Sequence, residues 1–261
     1  MLEQVLVPAA FDAIVDQVEP RGAGSSTFAE LPNGWTRVPQ SVLKEALART
    51  RTALRAPTTP CHFRQYYSRS GNFAGVTFLE VGPFDDHAVT EGDLLALSLL
   101  EVSAEPAAVR RILAPGGPRD TLKRHLSEES LPADSDLRLA DVDLLRSMES
   151  LYLDVKKYVS KSGSELANPW MRASKLCARK RPDLFPVRDE LVCRYLGLWP
   201  STYRDDWQVF RFLIDQRDVR QSLIKLVAGV GNPDVSVGQS TRLLRHLDVV
   251  LWMYARSIRR R

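Results

Sequence analysis

The feature that most constrains the fold is a helical pattern of apolar side chains between residues 139 and 159. Apolar residues recur there every three or four positions, and charged residues take positions on the opposite face. The apolar stripe consists of Leu144, Leu145, Met148, Leu151, Tyr152, Val155 and Val159. Because most helical stability comes from packing such a face against another apolar surface, the pattern predicts a helix within a larger helical core.

Further segments show the same period, and several begin with residues that are common at helix starts. Ser41 and Thr90 are typical capping residues, and Pro106 is typical of a first helical turn. We therefore predict a mainly α protein. The helices predicted after residue 40 cover 41–55, 94–102, 107–113, 139–159, 171–180, 187–196, 206–227 and 239–258.

The N-terminal residues carry a weaker pattern. One short helix is predicted over 11–18, followed by a flexible link over 20–26 that contains glycine and serine. We divide the chain into an N-terminal helical extension and linker, residues 1–60, and a helical domain with a small β element, residues 61–261. The β element is predicted as a small hairpin near residues 73–81, where apolar residues alternate among glycines. Those apolar residues are Phe73, Val76, Phe78 and Val81.

Composition limits the class of protein. The chain has 261 residues, 44% of them hydrophobic and 26% charged, which suits a globular protein with an apolar core. It contains no apolar run of the ~18 residues that a membrane span needs and no secretory signal pattern, so we expect a cytoplasmic protein without a membrane partner. The three cysteines and four histidines form no metal motif, and nucleotide and hydrolase motifs are absent. We expect no metal and no cofactor, and the sequence predicts no oligomeric state.

The stretch from Ala173 to Asp189 is the most informative about function. It reads as a helix with a basic end over 179–181, a break at Pro182, and a new helix opened by Pro186 and Asp189. A carboxylate at the start of a helix, just after a cluster of cations, is suited to chemistry on a polyanion. The alternative is structural, since basic residues favour helix C-termini and aspartate is a good N-cap.

Residues from about Tyr66 to Arg256 resemble a bacterial family of uncharacterised proteins, a domain of unknown function. Three blocks carry this resemblance, and they cover residues 90–100, 173–189 and 243–253. The family provides no activity from which a function can be inferred.

The segment from Lys157 to Asp189 also resembles the core of the helix-hairpin-helix DNA glycosylases. In that superfamily a helix ends in a glycine hairpin whose backbone N–H groups hold a DNA phosphate. A second helix and a turn with proline then lead to a catalytic aspartate. The resemblance implies a helix-hairpin-helix glycosylase-like helical bundle with Asp189 at the catalytic position. That carboxylate would stabilise the positive charge that develops on the sugar as the N-glycosidic bond breaks.

The hairpin departs from the superfamily pattern. Its glycines fall on Ala167 and Pro169, and proline has no N–H to donate, so a turn over 162–164 is the alternative phosphate site. The nucleophilic lysine of bifunctional members would fall near Met171 or Arg172, and neither carries an amine, which implies a monofunctional enzyme. The implied nucleic-acid contacts are Ser162, Gly163, Ser164, Arg172, Lys175, Arg179, Lys180 and Arg181.

A base that is cut from DNA first leaves the stack and enters a pocket of aromatic or apolar side chains. The candidate pocket residues are Trp170, Trp199, Tyr203 and Trp207, although tryptophans at such positions are also common in protein cores. We therefore expect a DNA-binding protein that acts as a monofunctional DNA glycosylase on a damaged or modified base, in DNA repair or phage defence. The alternative is a non-enzymatic helical protein with a decayed hairpin that binds DNA or another partner.

Overall fold

A computed structural model describes residues 27–259 of the chain. Twelve helices form within this range, together with only two isolated β bridges, so the prediction of a mainly α protein is confirmed. The helix predicted over 11–18 and the link over 20–26 lie outside the described residues. The helices are α1 (Gln40–Arg55), α2 (Thr59–Tyr67), α3 (Thr77–Glu80), α4 (Glu91–Ser98), α5 (Pro106–Leu113), α6 (Gly117–His125), α7 (Val142–Tyr158), α8 (Trp170–Lys180), α9 (Glu190–Leu196), α10 (Tyr203–Asp215), α11 (Arg217–Ala228) and α12 (Leu243–Arg259).

Helix α7 forms where the strongest apolar pattern predicts it. The Asp141 side chain begins the helix by accepting a hydrogen bond from the Leu144 N–H at 2.8 Å. Five residues of the predicted stripe are buried along α7, and α7 packs against α8. Since burying one large apolar side chain contributes about 1.5–3 kcal/mol, these five residues stabilise the packing of α7 against its neighbours.

The hairpin predicted near residues 73–81 is wrong. The segment forms bends followed by the single-turn helix α3, Thr77–Glu80, and its backbone hydrogen bonds are local. The Val81 N–H, for example, donates to the Thr77 carbonyl at 2.9 Å. Phe78 is fully buried and Phe73 packs on the apolar core. Both aromatic rings therefore pack within the helical core and do not lie on a β-hairpin.

The helix predicted over 206–227 is two helices, α10 and α11, which meet at Gln216. The backbone there is extended, with φ −70° and ψ 123°. The Gln216 side-chain amide donates to the Phe212 carbonyl at 2.9 Å, and the Arg220 guanidinium donates to the Asp215 carbonyl. These side chains satisfy the backbone groups that a helix end leaves without partners.

Two helices organise the part of the fold that holds the candidate site. Helix α12 packs against α1, α2, α9, α10 and α11, and helix α8 packs against α4 and α7. One apolar core extends from Phe28 to Met253, and it includes residues of α1. The division of the chain at residue 60 stays a prediction. No helix within residues 27–259 is long and apolar enough to cross a lipid bilayer.

Candidate functional site

A cavity of about 270 Å³ lies where α2, α8, α12, the end of α4 and the start of α9 come together. This volume is just below the ~300–1,000 Å³ of pockets for drug-sized ligands, so it suits one small ring. The residues that line it are Tyr66, Asn72, Phe73, Ala74, Leu99, Leu100, Glu101, Lys175, Val187, Asp189, Val192, Arg245, Asp248, Val249, Trp252 and Arg256.

An aromatic wall forms part of the cavity. The rings of Tyr66 and Phe73 stack with 5.8 Å between their centroids, and Trp252 meets both edge-on at 6.2 and 5.9 Å. The Arg256 guanidinium lies 4.9 Å from the Trp252 ring centroid. Edge-to-face contacts of this kind fix ring orientation, so the wall is a rigid surface on which a flat ligand can stack.

Asp189 lines the cavity and also begins α9. Its Oδ1 accepts a hydrogen bond from the Leu191 N–H at 2.9 Å, as expected of an N-cap. Its Oδ2 lies 3.8 Å from Nζ of Lys175. The two interpretations of Asp189 from the sequence are therefore not exclusive, since one carboxylate caps a helix and faces a pocket at the same time.

Lys175 lies inside the protein and not on a DNA-binding surface, which corrects its predicted role as a surface contact. The side chain is 4% exposed, and its Nζ donates to the Leu100 carbonyl at 2.7 Å. Burial lowers the pKa of Lys175, while the charges of Asp189 and Glu101 oppose that shift. The cavity thus holds an amine and a carboxylate side by side.

Arg245 and Asp248 are cavity residues that sequence reasoning missed. They lie one helical turn apart on α12, and both side chains are buried. Arg245 donates from Nη2 to the Tyr66 hydroxyl oxygen at 2.6 Å, and Asp248 accepts at Oδ2 from the Val187 N–H at 2.9 Å. The available signal was that the polar residues Arg245, His246 and Asp248 interrupt the apolar sequence of this helix.

A family model matches most of the chain. Residues 61–255 match the family described as "Family of unknown function (DUF6308)". The chain belongs to this family. The DUF6308 segment includes every residue that lines the cavity except Arg256. The expectation of an uncharacterised family is confirmed, and the family description gives no activity. No curated protein and no solved structure shows a significant match to the chain.

The basic cluster of this DUF6308 protein lies inside the fold. Arg179, Lys180 and Arg181 are each at most 2% exposed. Arg179 Nε and Lys180 Nζ donate to the two carboxylate oxygens of Asp93 at 3.0 and 2.9 Å, and Arg181 donates to backbone carbonyls, including that of Leu131. Because their donors are used internally, these three cations hold α8 to its neighbours and do not form the expected basic surface.

The turn over 162–164 lies between α7 and α8 and is partly exposed. The N–H groups of Gly163 and Ser164 both donate to serine hydroxyls, that of Gly163 to Ser160 at 2.9 Å. The Arg111 guanidinium fastens the turn through the Ser160 carbonyl at 2.8 Å. Arg172, at the start of α8, pairs with Glu105 at 3.1 Å. Binding of nucleic acid by this turn and by Arg172 stays a prediction.

The four aromatic residues predicted to form the base pocket do not line the cavity. Trp207 is 1% exposed and packs in the core against Trp35, with 5.8 Å between ring centroids. Trp170 and Trp199 pair with each other at 5.9 Å, and Tyr203 donates from its hydroxyl to Glu149. The aromatic wall comes instead from Tyr66, Phe73 and Trp252.

The described part of the chain offers no evident metal centre. Within residues 27–259, no three histidine, cysteine or carboxylate side chains lie close enough together to hold a metal ion. Charged side chains that line the cavity beside the aromatic wall include those of Asp189, Lys175, Arg245 and Asp248.

Proposed function

We propose that this protein is a monofunctional DNA glycosylase that receives an unpaired base in the cavity, with Asp189 as the catalytic carboxylate. The observation that carries the proposal is that Asp189 lines the same small cavity as Tyr66, Phe73 and Trp252. A flipped base needs a flat apolar surface, and stacking on an aromatic side chain contributes about 1–3 kcal/mol per base.

In the proposed reaction the bond between the base nitrogen and the sugar C1′ breaks, and its electron pair leaves with the base. The sugar becomes an oxocarbenium ion, which the Asp189 carboxylate stabilises. A water molecule adds to C1′ and gives its proton to Asp189, while solvent supplies the proton that the departing base takes up. The Leu191 N–H and the nearby Lys175 amine hold the carboxylate in one orientation.

We also propose that α7, the connection over 159–169 and α8 correspond to a helix-hairpin-helix element. The order of helix, turn, helix, proline turn and aspartate supports this correspondence. Because the N–H groups of Gly163 and Ser164 donate to serine hydroxyls, the proposed phosphate contacts come from side chains. The exposed Lys161 and Ser162 are the nearest candidates.

A second function is non-enzymatic binding of a base or another small ring in the same cavity. The observation that favours it is that both oxygens of Asp189 already have neighbours, the Leu191 N–H and the Lys175 amine. In this case the carboxylate would fix the start of α9 and would take no part in bond cleavage.

The deciding experiment compares two capping aspartates. Asp189→Asn keeps the cap but removes the charge in the cavity, and Asp141→Asn makes the same change at the start of α7, outside the cavity. Each protein is incubated with duplex oligonucleotides that carry uracil, hypoxanthine, an oxidised guanine or an alkylated adenine, and free base is measured by mass spectrometry. We expect release by the wild type and by Asp141→Asn, and at least a hundredfold loss in Asp189→Asn.

The other outcomes separate the two functions. Release that continues in Asp189→Asn would reject the catalytic assignment. Binding of base-modified DNA without release by any variant would favour the non-enzymatic function. Failure to bind DNA even at low salt, where contacts to phosphates are strongest, would reject the glycosylase and the helix-hairpin-helix correspondence, but not the binding of a free small ring.

The monofunctional assignment has a separate test. Lys175 places an amine beside Asp189, which the sequence pattern did not predict. Borohydride added during the reaction would trap a covalent adduct between an amine and the sugar, and we expect none. An adduct that disappears in Lys175→Met would show that Lys175 is a nucleophile and that the enzyme is bifunctional.

A further inference from the structure

Asp248 has one carboxylate oxygen without a partner. The residue lies on α12, is 3% exposed, and lines the cavity. Its Oδ2 accepts a hydrogen bond from the Val187 N–H at 2.9 Å. Its Oδ1 is fully buried and has no hydrogen-bond partner among the described residues. A buried polar atom without a partner is rare in folded proteins, so this one calls for an explanation.

No cation neutralises Asp248 directly. Within residues 27–259, no lysine, arginine or histidine nitrogen lies close enough to a carboxylate oxygen of Asp248 to form an ion pair. Arg245, one turn away on the same helix, directs Nη2 to the Tyr66 hydroxyl. The ionisable groups that share the cavity with Asp248 are Tyr66 from α2, Glu101 after α4, Lys175 from α8, Asp189 before α9, and Arg245 and Arg256 from α12.

Burial raises the pKa of Asp248 to about 7, and the negative charge of Asp189 adds to that rise. The charge of Arg245 and the Val187 N–H oppose it. Near neutral pH the carboxyl group is therefore protonated in a large fraction of the molecules. A protonated carboxyl is a hydrogen-bond donor, whereas the ionised form only accepts.

We propose that Asp248 is a ligand-binding residue: its protonated carboxyl group shifts so that Oδ1, which has almost no accessible surface in this structure, meets the bound base and donates a hydrogen bond to one of its acceptor atoms. The acceptor is a ring nitrogen or a carbonyl oxygen, and the base is the one that the proposed function places in this cavity, so this inference rests on that proposal. Asp189 and Asp248 then have different tasks, since one acts on the sugar and the other recognises the base. Two carboxyl groups in one site can have different roles when their surroundings differ.

The test uses Asp248→Asn. Asparagine keeps an oxygen for the Val187 N–H and presents an N–H donor in place of the Oδ1 hydroxyl at every pH. The matched control is Asp183→Asn, because burial also raises the pKa of Asp183, to about 6, but Asp183 does not line the cavity. The probes are free uracil, hypoxanthine, guanine and adenine, and their dissociation constants are measured by ligand-detected NMR between pH 6 and pH 8.

We expect wild type and Asp183→Asn to bind the best of these bases about tenfold more weakly at pH 8 than at pH 6, as the donor is lost. Asp248→Asn should bind with less than a twofold change over the same range. An identical pH profile in wild type and Asp248→Asn would overturn the inference. If Asp248→Asn does not fold, the wild type alone provides the test. A base affinity that does not change between pH 6 and pH 8 would then overturn the inference.

A second measurement separates this inference from the proposed function. In ¹³C spectra of the ligand-free protein, the Asp248 carboxyl signal is identified as the one that is missing in Asp248→Asn. We expect this signal to titrate near pH 7 in the wild type. Titration below pH 5 would overturn the inference regardless of any binding result. Base binding without a pH effect would overturn only the role of Asp248. If none of the four bases binds, base binding in the cavity fails, and the role of Asp248 fails with it.

Discussion

Nζ of Lys175 lies 3.8 Å from Oδ2 of Asp189 and donates a hydrogen bond to the Leu100 carbonyl at 2.7 Å. A single buried amine therefore connects α8 with the end of α4 and the start of α9. Because burial lowers the pKa of Lys175 and the charge of Asp189 opposes that change, the ionisation of the amine depends on the carboxylate beside it. Asp189 thus both caps α9 and sets part of the charge inside the cavity.

The capping role of Asp189 can be measured apart from catalysis. Asp189→Ala removes the hydrogen bond to the Leu191 N–H and should lower the free energy of unfolding by about 1 kcal/mol. Asp189→Asn should cost much less, because asparagine caps about as well as aspartate. Urea denaturation at pH 7 provides the comparison. Equal losses in the two variants would mean that the charge beside Lys175 matters more than the cap.

The aromatic wall predicts which tryptophan contacts a ligand. Trp252→Ala should weaken base binding about five- to hundredfold, since it removes a stacking surface of the cavity. Trp199→Ala is the matched control, because Trp199 is 38% exposed and does not line the cavity. Equilibrium binding of the same free base to both variants tests the prediction. A larger loss in Trp199→Ala would restore the base pocket that the sequence suggested.

The buried pairing of Asp93 with Arg179 and Lys180 should be a major determinant of stability. Asp93→Asn leaves two buried cations without a counter-charge and should cost about 3–5 kcal/mol in the free energy of unfolding. The control is Glu45→Gln, which breaks an exposed pair with Arg49 on α1 and should cost less than about 1 kcal/mol. Chemical denaturation measures both. A loss in Asp93→Asn no larger than in the control would contradict the buried network.

His246 should make the protein sensitive to acid. Burial, together with Arg245 and Arg242, lowers the pKa of His246 to about 4, below its ordinary value of 6.5. As the pH falls below 6.5 the unfolded chain takes up the proton first, so the contribution of His246 to stability is complete above pH 6.5 and is lost toward pH 4. The full effect is about 3 kcal/mol.

The variant that tests this effect is His246→Asn, whose side chain can still bond the Tyr67 hydroxyl that now meets Nδ1 at 3.0 Å. The free energy of unfolding of wild type minus that of the variant should fall between pH 7 and pH 4.5. Asp183 and Asp248 have raised pKa values and shift stability in the opposite direction, but they are common to both proteins and cancel in the difference. A difference that stays constant with pH would contradict a buried, neutral His246.

Elements whose signals are local could be predicted from the sequence. The stripe of α7 repeats within one segment, and the cap formed by Thr90 and Asp93 lies within four residues, with Thr90 N–H bonded to Asp93 at 2.9 Å. The break at Gln216 had no such signal, since no proline or glycine marks it and the supporting bonds come from Arg220 and from Gln216 itself. The hairpin failed because Phe73 is held by Tyr66 and Trp252, which no local pattern reveals.

The residues of the candidate site also include some that the sequence could predict and others that it could not. Asp189 was found because a proline turn and a cap mark it locally. The other cavity residues depend on contacts between distant segments, such as the hydrogen bond from Arg245 to Tyr66 across 179 positions. The basic cluster was predicted to lie on the surface because the sequence of a basic helix end is the same whether its cations face solvent or pair with a buried Asp93.

The cavity takes its walls from α2, near one end of the described chain, and from α12 at the other. A compound that fills it therefore touches segments that separate completely when the chain unfolds. Binding restricted to the folded state adds about 2.7 kcal/mol to stability at a ligand concentration of one hundred times Kd, which for a chain of this size raises the melting temperature by roughly 5–11 °C. Melting curves recorded against a collection of bases, nucleosides and other small rings can thus identify compounds that bind this protein without an assay for a reaction.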